Sequence, residues 1–154
     1  MKMINTTLCY IEKDNKYLML HRVKKENDQN KDKWIGVGGK LEQEESPFDC
    51  VKREVLEETG LTIENPRYHG LVTFCLEDWG TEYMYVFTAK EFSGELCECD
   101  EGNLEWVDKA QIYNLPIWEG DKIFLELIEK DAPQFFLTLK YDKNGVLLSH
   151  KLEK

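Results

Sequence analysis

Apolar and polar positions change places in short runs at the start of the chain. Thr6 to Ile11 is apolar and β-branched, Glu12-Lys13-Asp14-Asn15 is polar, and Tyr17-Leu18-Met19-Leu20-His21-Arg22 is largely apolar again. Two such runs about a short polar turn predict a β-hairpin. A lysine-rich loop follows through Lys24-Lys25 and Lys31-Asp32-Lys33. The period then changes. From Ser46 to Thr59, Val51 and Val55 share a helical face with Phe48 nearby. Ser46 is a natural N-cap, Pro47 suits the first turn, Asp49 completes a capping-box-like pattern, and Gly60 suits the residue after the helix. Tyr68–Cys75 and Tyr83–Phe87 read as strands, and Leu104–Val107 as a shorter one. Trp118 to Ile128 has helical spacing through Ile123, Leu125, Leu127 and Ile128, with Pro133 as its bound. Phe135–Tyr141 and Val146–Leu148 predict a last hairpin about Asn144-Gly145. Strands on both sides of a helix, with a second helix near the end, predict a mixed α/β layer fold.

Composition narrows this further. The chain has 154 residues, 42% apolar and 32% charged, which is globular and of one-domain size. No run approaches the ~18 apolar residues that span a bilayer. No long apolar segment follows Met1-Lys2-Met3-Ile4-Asn5, so a cytoplasmic location is expected. Acids outnumber bases 30 to 20. Such a chain is a poor binder of polynucleotide backbone, so no nucleic-acid polymer and no membrane is expected as partner. An anionic substrate would need a local basic patch or a metal ion. Cys9, Cys50, Cys75, Cys97 and Cys99 are scattered and read as reduced packing thiols. His21, His69 and His150 are isolated and read as structural.

The chemistry concentrates between Gly36 and Leu61. A glycine-rich turn of Gly36, Gly38 and Gly39 leads through an acidic loop into the first helix. Near that helix's end stand Glu54, Glu57 and Glu58, whose spacing puts three carboxylates on one face. Like charges repel there, and the helix dipole disfavours anions in a last turn by roughly 0.3–1 kcal/mol each. A purely structural helix would be better served by lysine. A divalent cation removes both penalties, and carboxylates with backbone carbonyls suit Mg²⁺ or Mn²⁺. No EF-hand loop is present.

Gly39, five residues, Glu45, seven residues, then Arg53-Glu54-Val55-Leu56-Glu57-Glu58-Thr59-Gly60-Leu61 resembles the Nudix box, G-x5-E-x7-R-E-U-x-E-E-x-G-U. Every fixed residue and both apolar positions match across 39–61. The resemblance implies a Nudix fold over 1–154, a mixed sheet between helices (α/β/α). It also implies hydrolysis of nucleoside diphosphates linked to another group. Carried over by position, Glu54, Glu57 and Glu58 are metal ligands, joined by the Gly38 carbonyl and by Glu101 of the Asp100-Glu101-Gly102 turn. Arg53 pairs with Glu45 and orients the helix. One box glutamate, or a loop glutamate from elsewhere, acts as general base, with Glu54 the choice inside the box, and Lys40 touches phosphate. Arg22 to Lys40 carries six bases and three acids, a local excess that would draw in a triphosphate.

The pattern is similar to the mutator-type (MutT-like) branch, the oxidised purine nucleoside triphosphate diphosphatases of nucleotide-pool cleansing and DNA repair. Trp34-Ile35-Gly36-Val37-Gly38-Gly39-Lys40 and Trp118-Glu119-Gly120-Asp121 carry that likeness. It implies that Trp118 stacks on a purine and that Asp121, or Glu119, accepts from its N–H edge. Thr6, Arg22 and Gly36 align with pocket positions. Two departures stand against strict 8-oxoguanine selectivity: Ile35 replaces an amide, and Gly120 stands where a paired-acid site has a second Asp. The expectation is a Mg²⁺-dependent enzyme that turns purine (d)NTPs, such as 8-oxo-dGTP, into monophosphate and pyrophosphate. Nudix hydrolysis of ADP-ribose, dinucleoside polyphosphates or capped RNA is the alternative, followed by a non-catalytic nucleotide-binding module. The oligomeric state is not legible.

Overall fold

A computed structural model describes residues 1–154. In chain order the elements are β1 (Lys2–Lys13), β2 (Lys16–His21), β3 (Trp34–Ile35), α1 (Pro47–Thr59), β4 (Leu61–Glu64), β5 (Arg67–Leu76) and β6 (Gly80–Ala89). These are followed by β7 (Glu91–Gly94), β8 (Asn103–Asp108), α2 (Lys109–Ile112), α3 (Glu119–Glu129), β9 (Phe135–Tyr141) and β10 (Leu147–Glu153). Eight strands form one mixed sheet, ordered β10-β9-β5-β6-β1-β2-β3, with β8 also paired to β2. β1 runs parallel to β6, and β5 parallel to β9, while the other pairings are antiparallel. β4 and β7 make a separate two-stranded ribbon.

The expected layering is what the chain adopts. Along β1, Leu8 and Tyr10 belong to one apolar cluster with Phe124, Leu125 and Ile128 of α3. Cys9 and Ile11, on the opposite face, belong to a second with Val51 and Val55 of α1. The sheet therefore lies between α1 and α3, each covering one face of the strand alternation. Burying a valine of this kind is worth about 1.5–3 kcal/mol, so Val51 and Val55 hold α1 to the sheet. The caps are as read: Asp49 N–H donates to Ser46 Oγ at 3.0 Å, and Gly60 takes the left-handed conformation at φ 82°. Phe48 differs, being exposed, with its ring edge-on to Phe87.

The glycine turn is held by strand-like bonding to β1. Val37 and Cys9 exchange N–H···O bonds of 2.6 and 2.9 Å, and Thr7 N–H donates to Gly39 O at 2.9 Å. By strand alternation the intervening Gly38 turns its N–H and carbonyl away from β1. A Cβ on Gly38 would collide with the Thr7 carbonyl, so only glycine allows this approach. No helix is long and apolar enough to cross a membrane.

Candidate active site

α1 aims its acids unequally. Glu54 and Glu58 line a cleft of about 470 Å³, together with Gly36, Gly38, Gly39, Lys40 and Glu101. Glu57 does not: its side chain is 57% exposed at the rim, where it accepts from Arg53 Nη1 at 3.2 Å. The three glutamates share a face only broadly. Glu54 and Glu58, a turn apart, turn to the cleft, and Glu57 lies to the solvent side.

Arg53 organises the acids. Its Nε and Nη2 grip both oxygens of Glu45 at 2.7 and 2.9 Å, its Nη1 donates to Glu54 at 2.8 Å, and its Nη2 also donates to the Lys40 carbonyl at 3.1 Å. That bidentate grip holds the Glu45 carboxyl well below the usual range, at about 2. The expected Arg53–Glu45 pair is therefore present, and Arg53 carries Glu54 as well.

Glu58 shows the opposite shift. Burial, aided by the nearby Glu101 and Glu54 charges, pushes its carboxyl up to about 8, against the partial relief of Arg22 and the Gly38 amide. Burial also raises Glu54. Glu58 Oε2 is buried with no hydrogen-bond partner. An orphaned carboxylate oxygen beside two further acids is what a hard divalent cation would satisfy, so the donor set fits such an ion. The acids are gathered without being closed on one point, as no group of three or more acidic, His or Cys side chains converges as a ready cage.

Local charge is less free than its count suggests. Arg22 is bonded to Asp28 at 2.7 Å and to Glu101 at 2.9 Å, and Lys25 reaches Glu101 at 3.3 Å. The exposed Lys40 remains at the cleft wall.

The cleft continues to the α3 side of the sheet, lined there by Thr6, Ile35, Phe74, Glu82, Met84, Trp118 and Asp121. Asp121 is 5% exposed, and burial lifts its carboxyl to about 8. Trp118 is also 5% exposed. It packs edge-on against Phe74 and Tyr141, has Lys33 Nζ 4.9 Å from its ring centroid, and donates Nε1–H to Asn30 Oδ1 at 2.7 Å. It is thus a core residue with one side on the cleft. Glu119 is corrected outright: it is 63% exposed, paired with Lys122 at 3.0 Å and outside the cleft. As the first residue of α3 it turns to solvent, whereas Asp121, two residues on, turns inward. Polar lining residues that the sequence did not mark as part of a site include Glu82 and Asn30. Neither belongs to a motif, and only the β1–β6 register and the folded-back lysine loop bring them in.

The cleft joins an acid-lined end whose donors suit a cation with an end walled by Ile35, Phe74, Met84 and Trp118 and carrying the acids Glu82 and Asp121. That arrangement belongs to hydrolases of phosphoric anhydrides. The chain belongs to the Nudix family, whose NUDIX domain model matches residues 1–128. It is 35% identical over 152 residues to the uncharacterized Nudix hydrolase YvcI of Bacillus subtilis (strain 168), covering 96% of this chain and 92% of that one. It is 33% identical over 125 residues to the oxidized purine nucleoside triphosphate hydrolase of Danio rerio, covering 79% and 78%. The crystal structure of a mutator MutT protein from Bacillus halodurans superposes with a TM-score of 0.86 at 30% identity, over 97% of each chain. Nudix hydrolases generally use a divalent metal ion.

Proposed function

We propose that residues 1–154 form one catalytic unit that hydrolyses purine nucleoside triphosphates, oxidised ones such as 8-oxo-dGTP among them, to the monophosphate and pyrophosphate with Mg²⁺ (or Mn²⁺). The observation that carries this is the single cleft in which the α1 carboxylates and the Asp121 pocket meet. The likeness to an oxidized purine nucleoside triphosphate hydrolase supports it. The five free thiols suit a reducing compartment such as the cytoplasm.

Glu54, Glu58, Glu101 and the Gly38 carbonyl would hold the ion, with Glu57 at the rim of the same set. The bound cation supplies neutralisation of phosphate charge and an acidified water. The rest is the work of side chains. Glu54, made more basic by burial and aimed by Arg53, takes a proton from the attacking water. The water oxygen bonds to phosphorus and the anhydride P–O bond breaks. Lys40 meets the phosphates at the cleft wall, and Asp121 accepts from the base.

A product panel tests this. With Mg²⁺, 8-oxo-dGTP and dGTP should release pyrophosphate and monophosphate, with ADP-ribose and capped RNA turned over at least tenfold less efficiently. AMP from ADP-ribose as the dominant product would overturn it.

A further inference from the structure

A side chain at Gly120 would have to displace the ends of Leu139 and Tyr141. A Cβ there would lie 2.6 Å from the Tyr141 hydroxyl oxygen and 2.8 Å from Leu139 Cδ2, and the Gly120 N–H already donates to that hydroxyl at 2.7 Å. The start of α3 therefore brings one acid to the base end, Asp121. Asp121 is 5% exposed as a residue, and its carboxyl oxygens open onto the cleft without a hydrogen bond from the protein. A buried carboxyl left in that condition is costly unless something else satisfies it.

The second acid comes from the sheet. The parallel register sets Ile4 beside Glu82 and Thr6 beside Met84, so Thr6 and Glu82 share a face one pair apart. Thr6 Oγ1 donates to Glu82 Oε2 at 2.7 Å, which leaves the other lone pairs of that carboxyl unused. Glu82 is close enough to Asp121 for its charge to act on it. Lys33, Tyr10 of β1 and Tyr141 of β9 also face Asp121, while Lys40 and Arg22 act on Glu82. A donor lines the same cleft. The Trp118 indole N–H can only donate, so the Asn30 atom it meets is the amide oxygen, and the Asn30 NH₂ group stays free at the cleft wall.

We propose that Glu82, acting with Asp121 and the Asn30 amide, is a specificity-determining residue that selects the guanine edge. Two acid acceptors and one amide donor match adjacent N–H groups beside a carbonyl, the pattern of guanine and of its 8-oxo form. Adenine and cytosine present one amino group beside acceptors and leave a carboxyl unanswered. This assignment rests on the reading that the α3 end of the cleft binds the base of a nucleotide.

Equilibrium binding of dGMP, 8-oxo-dGMP, dAMP and dCMP by calorimetry, without added metal, tests it apart from turnover. The wild-type chain should bind the guanine nucleotides at least tenfold more tightly than dAMP or dCMP. Glu82→Met removes the acceptors at similar length, and an apolar replacement of a buried acid is generally tolerated by the fold. It should reduce that preference at least tenfold, and Glu82→Asp should restore part of it. A wild-type guanine preference that Glu82→Met keeps within twofold would overturn the role of Glu82 alone. A wild-type chain that binds all four equally would overturn the assignment together with the base-binding reading beneath it.

Discussion

Arg53 and Glu58 show how much a single side chain carries. Arg53 spends its donors on Glu45, Glu54, Glu57 and a carbonyl, an arrangement a lysine cannot reproduce. Arg53→Lys should lower kcat at least tenfold while circular dichroism stays native, since Glu54 loses its orientation and α1 keeps its core face. Glu57→Gln and Glu58→Gln should each cut metal-dependent turnover ~100-fold, as expected where a cation carries much of the charge stabilisation. Their stabilities should part company. Glu58→Gln relieves a buried acid, so the metal-free variant should melt above the wild type, whereas the exposed Glu57→Gln should melt with it. Equal melting temperatures for the two would contradict the unequal burial. At this scale the box residues were legible because their spacing is itself the signal. Glu82 was not, since a lone acid within a strand looks like any solvent-facing position until the fold sets it on the wall of the same cleft as Asp121.

α1 was the most legible element, because its period and both of its caps agree on the same boundaries. Ser46→Ala should cost about 1 kcal/mol, the usual worth of an N-cap. Gly60→Ala should cost more, because it adds a left-handed strain and a methyl 2.5 Å from the Glu95 carbonyl. Urea midpoints at constant slope would rank the two. Strand ends were less legible for a physical reason. The predicted Thr6–Ile11 run became Lys2–Lys13, and Val146–Leu148 became Leu147–Glu153. The added residues are mostly exposed and pair through backbone alone, so no burial pattern marks them. The β4–β7 ribbon escaped similarly: four residues with alternating burial are too few to read as a strand.

For the molecule as a whole, buried titratable groups set the response to pH. Asp121, at about 8 when folded against 3.8, lends stability that is complete below about 4 and lost as pH rises through 8. Glu58 moves the same way. His69, buried against the Thr88 hydroxyl and lowered to about 4, lends stability present above 6.5 and lost as pH falls through 4. Between pH 6.5 and 8 the acids Asp121 and Glu58 act, so the metal-free melting temperature should fall across that window. Asp121→Asn should flatten the fall and exceed the wild type above pH 8, as differential scanning calorimetry would show. A wild type that gains stability over that range would refute the burial of these carboxyls.

The parallel partnership of β1 with β6 has a further consequence for biosynthesis. Lys2 to Ile11 align with Gly80 to Ala89, and β5 in turn waits for β9, beginning at Phe135. On a ribosome the first strand thus emerges long before its parallel partner β6, and the sheet's centre cannot knit until most of the polypeptide has been made. Nascent chains halted before residue 80 should remain protease-sensitive throughout β1, however well the helix following the glycine turn has already wound.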